Sequence, residues 1–167
     1  MDGPIEKLVT RKRDIVDYLS IVLVVIAAVL IQMTTLFFSF LINYIAIIFA
    51  ALLFLCTKFA MLKNIEFEYS YFDGDMEIDK IINMKKRKRV TLVSVKDMEA
   101  FGVQNAFATL QKKPEEIVYC CATPDAPGNY FFIANYNSKR TAFFFEPNDQ
   151  MIHDIIRRIP NKILRGA

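Results

Sequence analysis

The sequence has no tryptophan, a single histidine, three cysteines and five glycines among its 167 residues. The interior glycines, Gly74, Gly102 and Gly128, are far apart, which excludes a glycine-rich phosphate-binding loop and a nucleophile elbow. Histidine-based general-base chemistry would depend on His153 alone. The sequence therefore predicts no enzyme and no bound cofactor.

The cysteines do not predict a metal site either. No Cys-x-x-Cys pair is present, and Cys120 and Cys121 are adjacent in a predicted strand, so their side chains point to opposite faces. Cys56 lies in an apolar segment. We expect all three thiols to stay reduced in the cytosol and to act as small apolar residues. His153, beside Asp154 on the polar side of a predicted helix, is interpreted as an ordinary surface residue.

Charge is absent from forty consecutive residues between Asp17 and Lys58. A helix of this length would span about 60 Å, roughly twice the hydrocarbon thickness of a bilayer. We therefore predict two transmembrane helices, at about residues 15–35 and 40–61, joined by a short hairpin near Thr34–Ser39. No Asp, Glu, Lys, Arg or His lies in the forty residues between Asp17 and Lys58, so the two helices are interpreted as an anchor and not as a pathway for ions or substrate.

Basic residues flank this apolar segment on both sides: Lys7, Arg11, Lys12 and Arg13 before it, and Lys58 and Lys63 after it. Because Lys and Arg next to a span stay on the cytoplasmic side, both termini are predicted to be cytoplasmic, in a multi-pass protein of the cell membrane. A cleaved signal peptide is the alternative, but a second apolar segment follows the first directly. Asn43 is expected to bond the neighbouring helix or to lie at the membrane interface.

The rest of the chain, residues 64–167, carries 15 basic and 14 acidic side chains and shows the period of β-strands. Apolar and polar residues alternate over residues 65–72, and Asp73–Asp75 supply the chemistry of a tight turn. Further strands are predicted at residues 76–84, 90–95, 117–122, 130–136 and 140–145. Between residues 96 and 116 the irregular pattern predicts a short strand near Val103 or a helical turn.

A C-terminal helix is predicted between Asn148, its N-cap, and Pro160. Its apolar side is formed by Met151, Ile152, Ile155, Ile156 and Ile159. The predicted fold is thus a mainly-β (α+β) domain at residues 64–167, with six or seven antiparallel strands in a bent sheet or barrel capped by one helix. It follows a membrane helical hairpin at residues 15–62 and a cytosolic N-terminal tail at residues 1–14.

Two segments of the domain carry a resemblance to a known family: "IEFEYSYFDGDMEIDKIINMKKRKRV", which opens it, and "FFFEPNDQMIHDIIRRIP", which closes it. With the two preceding spans, they resemble bacterial membrane proteins that carry a cytosolic pleckstrin-homology-like domain. The resemblance implies a seven-stranded, helix-capped fold that docks to lipids or proteins without catalysis. The lipid site of that family usually takes basic residues from the loop between the first two strands. Here that loop is Asp73, Gly74 and Asp75, so no ligand residue is carried over.

Five consecutive basic residues stand at the predicted hairpin between the second and third strands: Lys85, Lys86, Arg87, Lys88 and Arg89. An anionic membrane surface attracts nearby basic residues by about 1 kcal/mol each. Because only Leu62–Asn64 separate the second span from the first strand, the domain is expected within roughly 10 Å of the membrane. The basic run is therefore a candidate contact for anionic lipids. A solvated turn and a contact with a partner's acidic surface are the alternatives.

Nucleic-acid binding is not predicted, because a single basic cluster in a nearly neutral domain gives too few phosphate contacts. Aromatic residues concentrate in the strands Tyr130–Tyr136 and Arg140–Phe145, and we expect them to pack in the core. The chain is thus predicted to be a non-catalytic, membrane-anchored binding or scaffolding module at the cytoplasmic face. The alternative is an accessory subunit of a larger membrane complex that uses the aromatic hairpin as its interface. Two spans bury little of themselves, so a protein partner or a homo-oligomer is expected.

Overall fold

The computed structural model describes residues 4–37 and 44–164. Its helices are α1 (Ile15–Phe37), α2 (Ile45–Leu62) and α3 (Asp149–Arg158). Its strands are β1 (Ile5–Thr10), β2 (Ile65–Phe72), β3 (Asp75–Ile82), β4 (Lys86–Ser94), β5 (Ala100–Val103), β6 (Glu116–Tyr119), β7 (Tyr130–Tyr136), β8 (Lys139–Phe145) and β9 (Ile163–Leu164). Short 3₁₀ helices follow β4, β5 and α3 at Val95–Asp97, Gln104–Thr109 and Pro160–Lys162.

The described chain forms two compact units. One is the helical unit, Lys12–Asn64, and the other joins the segment up to Arg11 with the segment from Ile65 onward. The N-terminal segment belongs to the second unit because β1 pairs with β2 along its whole length. The predicted cytosolic tail is therefore wrong at Ile5–Thr10, which is a strand of the β domain. Its charged and apolar residues do not alternate, since Glu6 is next to Lys7 and Leu8 is next to Val9, so the pattern does not distinguish a strand from a flank of the first helix.

In the helical unit, α1 and α2 correspond to the two predicted apolar helices. α1 continues to Phe37, so Thr34, at the start of the predicted hairpin, is helical. The end of that hairpin and Asn43 lie outside the described residues. The first turn of α1 and the end of α2 lie together, because Lys63 Nζ is 3.0 Å from Asp17 Oδ1. The two helices therefore run antiparallel.

The first sheet contains β1, β2, β3 and β4 in this order, all antiparallel. Asp73 and Gly74, with φ of 47° and 90°, form the predicted turn between β2 and β3. A β-bulge interrupts the pairing of β3 with β4 between Ile78 and Asp79. Every second residue of β2 is buried, as the alternating pattern predicts, so one face of this sheet packs on the core.

The second sheet has the order β6-β8-β7-β5-β9. β7 and β8 form the predicted hairpin, in which Asn137 and Ser138 have φ of 49° and 64°. β6 pairs parallel with β8, and β9 pairs parallel with β5. The predicted fold of six or seven antiparallel strands is corrected on both points, since the described residues form nine strands with two parallel pairs. Alternation identifies a strand but does not give the direction of its neighbour.

Both faces of the β7–β8 hairpin are buried, each in a separate apolar cluster. Phe132 and Phe143 belong to the cluster shared with the first sheet and α3. Phe131 and Phe144 belong to the other cluster, which is covered by the segment after β5. There the ring of Phe107 lies 5.2 Å from Phe131 and 4.9 Å from Phe144. The expected core packing of the aromatic strands is confirmed, and their rings do not form an exposed interface.

Helix α3 begins as predicted, because the Asn148 side chain accepts a hydrogen bond of 2.8 Å from Met151 N. Met151 and Ile155 are buried in the core that the first sheet contributes to. Ile156, which was predicted on the same apolar side, is 39% exposed. The side of α3 that is buried is therefore narrower than the apolar side that the sequence predicts.

Ion pairs connect α3 to the β2–β3 turn. Arg158 bonds Asp154 on its own helix, with 2.8 Å between Nε and Oδ2, and Asp73 in the turn, with 3.2 Å between Nη2 and Oδ1. The hydroxyl of Tyr71 donates to Asp154 Oδ2 at 2.5 Å. Gly74 is needed here for two reasons: its φ is left-handed, and a Cβ atom would lie 2.7 Å from Arg158 Nη1.

Candidate functional site

The predicted basic run begins in the turn between β3 and β4 and continues into β4. Asn83 and Met84 have φ of 53° and 55°, which reverses the chain at this turn. Only Lys85 lies in the turn, whereas Lys86–Arg89 are the first four residues of the strand. Because successive residues of a strand point to opposite faces, the run does not form a single patch.

The two arginines of the run pair with acidic residues of the outer face of the first sheet, the face that does not pack on the core. Arg87 bonds Asp79 through Nε at 2.5 Å and Glu68 through Nη2 at 2.5 Å. Arg89 pairs with Glu77. Asp79 is only 5% exposed. The hydrogen bond that Arg87 donates to Asp79 raises the pKa of the Arg87 guanidinium. The positive charge of both arginines is therefore largely balanced within the sheet.

The lysines of the run are arranged differently. In the register of the sheet Lys88 lies directly opposite Lys80 of β3, and Lys86 lies one pair further along the same face. Among the described residues, Lys80, Lys85, Lys86 and Lys88 form no ion pair. Like charges directly opposite each other are unfavourable for sheet stability. Met84, at the tip of the turn, is 79% exposed. We call these five residues the lysine end.

The lysine end lies at the end of the first sheet that is connected to the helical unit. Ile82, the last residue of β3, is opposite Ile65, the first residue of β2. Ile65 O in turn accepts a hydrogen bond of 2.9 Å from Arg11 N. The chain leaves the sheet after Arg11 towards α1 and returns from α2 at Ile65. Both covalent connections to the apolar helices therefore start beside the turn that carries the lysines.

Among the described residues, α1 is long and apolar enough to cross a membrane, over Ile15–Thr34. Only 6% of its apolar window is buried, unlike the core helix of a soluble domain. The apolar part of α2, Ile47–Leu62, is shorter than the roughly 17 residues that a span usually needs. One N-terminal helix thus has the properties of a membrane anchor, and the predicted two-span hairpin is not established by length alone.

The remaining candidate residues do not assemble a reactive site. Cys120 and Cys121 follow the end of β6 at Tyr119, so the predicted strand at residues 117–122 does not extend to them, but each belongs to a different apolar cluster. Burial raises the pKa of the Cys120 thiol to about 12 and that of Cys121 to about 11, so both stay protonated at neutral pH. Among the described residues, no group of three His, Cys, Asp or Glu side chains is placed to hold a metal ion.

The surface histidine was predicted, and His153 is exposed on α3. It borders a cleft of about 980 Å³ between α3, β1 and the end of β2. Four of the ionisable groups in this cleft bond one another: burial opposes ionisation of Asp154, but hydrogen bonds from Tyr71, Arg158 and Arg157 outweigh it and lower its pKa. Desolvation and the bond to Asp154 raise the pKa of Tyr71. Neither group is poised for proton transfer at neutral pH.

Two parts of the candidate surface were missed by sequence reasoning. Lys80 lies in a strand that otherwise follows the apolar parity, and only the register of β3 with β4 brings it opposite Lys88. β1 was taken for a tail, although Ile5 and Val9 at even spacing were a signal for a strand. Without β1, the sequence could not indicate that both helix connections start at the same end of the sheet.

Comparison with known proteins places this architecture in a family. No curated protein and no solved structure matches the chain. A family model described as "Bacterial PH-like domain (DUF6106)" matches residues 1–165, which include β1 and both apolar helices as well as the two sheets and α3. The predicted resemblance is confirmed: the chain belongs to the bacterial PH-like domain family DUF6106.

Proposed function

We propose that this protein is a membrane-anchored, non-catalytic binding module whose lysine end contacts anionic lipid headgroups at the cytoplasmic face of the cell membrane. Domains with a PH-like fold generally bind or scaffold and do not catalyse. The observation that carries the proposal is the position of Lys80, Lys85, Lys86 and Lys88. They lie without ion partners in the described chain, at the end of the sheet from which both apolar helices depart.

Distance and charge both favour this contact. Lys86 is two strand spacings from Ile65, which corresponds to about 10 Å. That is about one Debye length at physiological ionic strength, so an anionic surface near Ile65 would still attract the lysines. Each lysine close to such a surface gains about 1 kcal/mol. Arg87 and Arg89 contribute less, because their charges are already paired with acidic side chains.

For the anchor, we propose that α2 crosses the membrane together with α1. The pair of Asp17 and Lys63 holds the start of one helix beside the end of the other, which suits a hairpin that enters and leaves on the same side. The basic residues outside both helices favour the cytoplasm for that side. A short second span is accommodated by local thinning of the bilayer, at a modest energetic cost.

The lipid contact is tested with the full chain in nanodiscs. A spin label is attached at Met84→Cys in a Cys56→Ser background, because the buried Cys120 and Cys121 thiols react poorly. The label's accessibility to oxygen, relative to a water-soluble nickel chelate, should rise when phosphatidylglycerol is added to phosphatidylcholine. Added salt should reverse this rise, because it screens the attraction.

The matched variants exchange three lysines for glutamine at two different places. The first variant changes Lys85, Lys86 and Lys88 and should abolish the lipid dependence. The second changes the exposed Lys96, Lys112 and Lys113 and should retain it. Equal label accessibility in both lipid compositions would show that the lysine end is only a solvated turn.

Topology is tested separately with a membrane-impermeant maleimide on spheroplasts. In a two-span protein with cytoplasmic ends, Met84→Cys should react only after lysis, whereas Ser39→Cys should react in intact spheroplasts. Reaction of Met84→Cys without lysis would place the domain outside the cell and contradict the proposed localisation. Protection of both positions would argue against the second span.

An accessory subunit of a larger membrane complex is the second candidate function. The aromatic hairpin does not support it, since Phe131, Phe132, Phe143 and Phe144 are buried. Such a subunit would need another apolar surface for its partner.

A further inference from the structure

We propose that the side chain of Met84 inserts below the lipid headgroups and acts as an apolar anchor at the tip of the lysine end. This inference deepens the proposed lipid contact and rests on it, because it assigns one side chain to a depth in the bilayer that the lysine charges do not reach. It combines three features of the β3–β4 turn: the backbone conformation of Met84, its exposure, and the lysines beside it.

The turn between β3 and β4 has a backbone conformation that does not favour methionine. Its central residues, Asn83 and Met84, have φ of 53° and 55°. The turn is closed by a hydrogen bond of 3.2 Å that Lys85 N donates to Ile82 O. Turns with positive φ at both central positions favour Asn followed by Gly, because most side chains are strained in this region. Asn83 follows this preference, and Met84 does not.

The two other hairpin turns that the structure describes carry small residues at the corresponding position. The β2–β3 turn has Asp73 and Gly74 at positive φ, and the β7–β8 turn has Asn137 and Ser138. Glycine and serine thus occupy the second position of these turns, where the β3–β4 turn has a large apolar residue. The geometry of the turn therefore does not account for Met84.

Packing within the protein does not account for Met84 either. Its residue is 79% exposed, the largest fraction among the described large apolar residues of the β domain. Met76, Met98 and Met151 of the same domain are fully buried. The fold thus gains nothing from an apolar side chain at the tip of this turn, and a contact outside the chain explains its presence.

The position of the turn favours a bilayer as this contact. Met84 is the middle one of the three residues that join β3 to β4, and it lies beyond the pair of Ile82 with Ile65. The chain returns from α2 at Ile65, and α1 is long and apolar enough to cross a membrane. The end of β3 is thus one strand spacing, about 5 Å, from the point at which the chain comes back from the apolar helices.

The lysines beside Met84 suit such an insertion. Lys85, Lys86 and Lys88 form no ion pair among the described residues. A lysine can lay its aliphatic stem along an apolar surface while its ammonium group stays at the level of the phosphates. Met84 can therefore lie deeper than the lysine charges, as the apolar side of an interfacial segment does. Charge attracts the turn to the membrane, and the methionine adds a component that salt does not screen.

The test measures how fast the lysines of the full chain are acylated by a water-soluble succinimide ester. The chain is placed in nanodiscs of phosphatidylglycerol and phosphatidylcholine at low and at high salt, and mass spectrometry quantifies the modified lysines. Lys85 should be protected at low salt in the unaltered chain, and part of this protection should persist at high salt. The exposed Lys112 and Lys113 are the internal control and should react equally at both salt concentrations.

Two variants of Met84 separate insertion from charge attraction. Met84→Asn removes the apolar side chain and introduces a residue that tolerates positive φ better, so the melting temperature should stay the same or rise. The protection of Lys85 at high salt should fall by about tenfold, since burial of an apolar side chain of this size favours the contact at least that much. Met84→Leu is the matched control, because it keeps an apolar side chain on the same turn, and it should retain the protection.

Equal protection of Lys85 at high salt in the unaltered chain and in Met84→Asn would overturn the insertion of Met84, while the lipid contact of the lysines would stand. Loss of the protection in Met84→Leu would overturn the insertion too. If Lys85 of the unaltered chain is not protected even at low salt, the lipid contact itself is rejected, and the insertion with it. Should Met84→Asn lower the melting temperature, Met84→Ser gives the same comparison with the residue type that Ser138 provides in the β7–β8 turn.

Discussion

The two sheets of the β domain bury their residues in different ways. In the first sheet inward residues such as Tyr69 are buried, while outward residues such as Glu68 remain partly exposed. In the second sheet the neighbours Phe131 and Phe132 are both fully buried, because each face has its own apolar cluster. The first sheet thus has one face outside the core, whereas both faces of the β7–β8 hairpin in the second sheet are covered.

The proposed lipid contact lies at one end of the first sheet. The lysine end is polar, so its attraction to lipid should vary with salt and with lipid composition.

The largest expected effect tests the double-sided burial of the second sheet. Phe143→Ala should lower the free energy of unfolding by about 3–5 kcal/mol, because it removes a fully buried ring and leaves a cavity. Leu92→Ala, at a site that is 54% exposed on the first sheet, should change it by no more than about 0.5 kcal/mol. Chemical denaturation of the full chain in detergent measures both. Similar losses for the two variants would contradict the contrast between the sheets.

A smaller loss is expected at the turn that joins the first sheet to α3. Gly74→Ala forces a side chain into a left-handed conformation with φ of 90° and towards Arg158 Nη1 at 2.7 Å. We expect a loss of about 1–3 kcal/mol in the same denaturation experiment. Gly128→Ala, which meets open space, is the control and should be nearly neutral. If Gly74→Ala left the free energy of unfolding unchanged, neither the left-handed turn nor its contact with Arg158 would contribute to stability.

The smallest effect is a pH dependence at the same junction. Since the folded-state pKa of Asp154 is lowered, its contribution to stability is complete above its unfolded pKa and is lost as the pH falls through the folded value. Asp154→Asn should therefore reduce the melting temperature at pH 7, and the difference from the unaltered chain should shrink below about pH 4. A difference that stays constant from pH 7 to pH 3 would show that the charge of Asp154 is not involved.

Local signals in the sequence predicted much of this fold. The turns at Asp73 and Asn137 and the cap at Asn148 each depend on residues within a few positions, so a single sequence contains the necessary information. The alternating pattern of β2 likewise indicated which residues face the core. These turns, the cap and the buried face of β2 were therefore identified correctly, whereas the start of β4 at Lys86 was missed because four charged residues open that strand.

Features that depend on distant pairing could not be predicted. β1 meets β2 only after more than fifty intervening residues, and β9 finds β5 from the other end of the domain. The same limitation applies to the candidate site. From the sequence alone, the five adjacent basic residues were interpreted as a single basic contact surface. Only the structure shows that Arg87 and Arg89 form ion pairs with carboxylates. The register of β3 with β4, which includes a bulge, places Lys88 opposite Lys80.

β1 pairs with β2, and the hydrogen bond from Arg11 N to Ile65 O continues this pairing. The pairing determines when the first sheet can form during synthesis. β1 leaves the ribosome before α1 and α2, yet its partner strand follows both helices, so the first sheet cannot close until the helical segment has been made. Until then the segment of β1 has no partner strand. A chain that lacked β1 would expose the edge of β2 to other strands. The β domain can therefore be completed only after both helices have been synthesised.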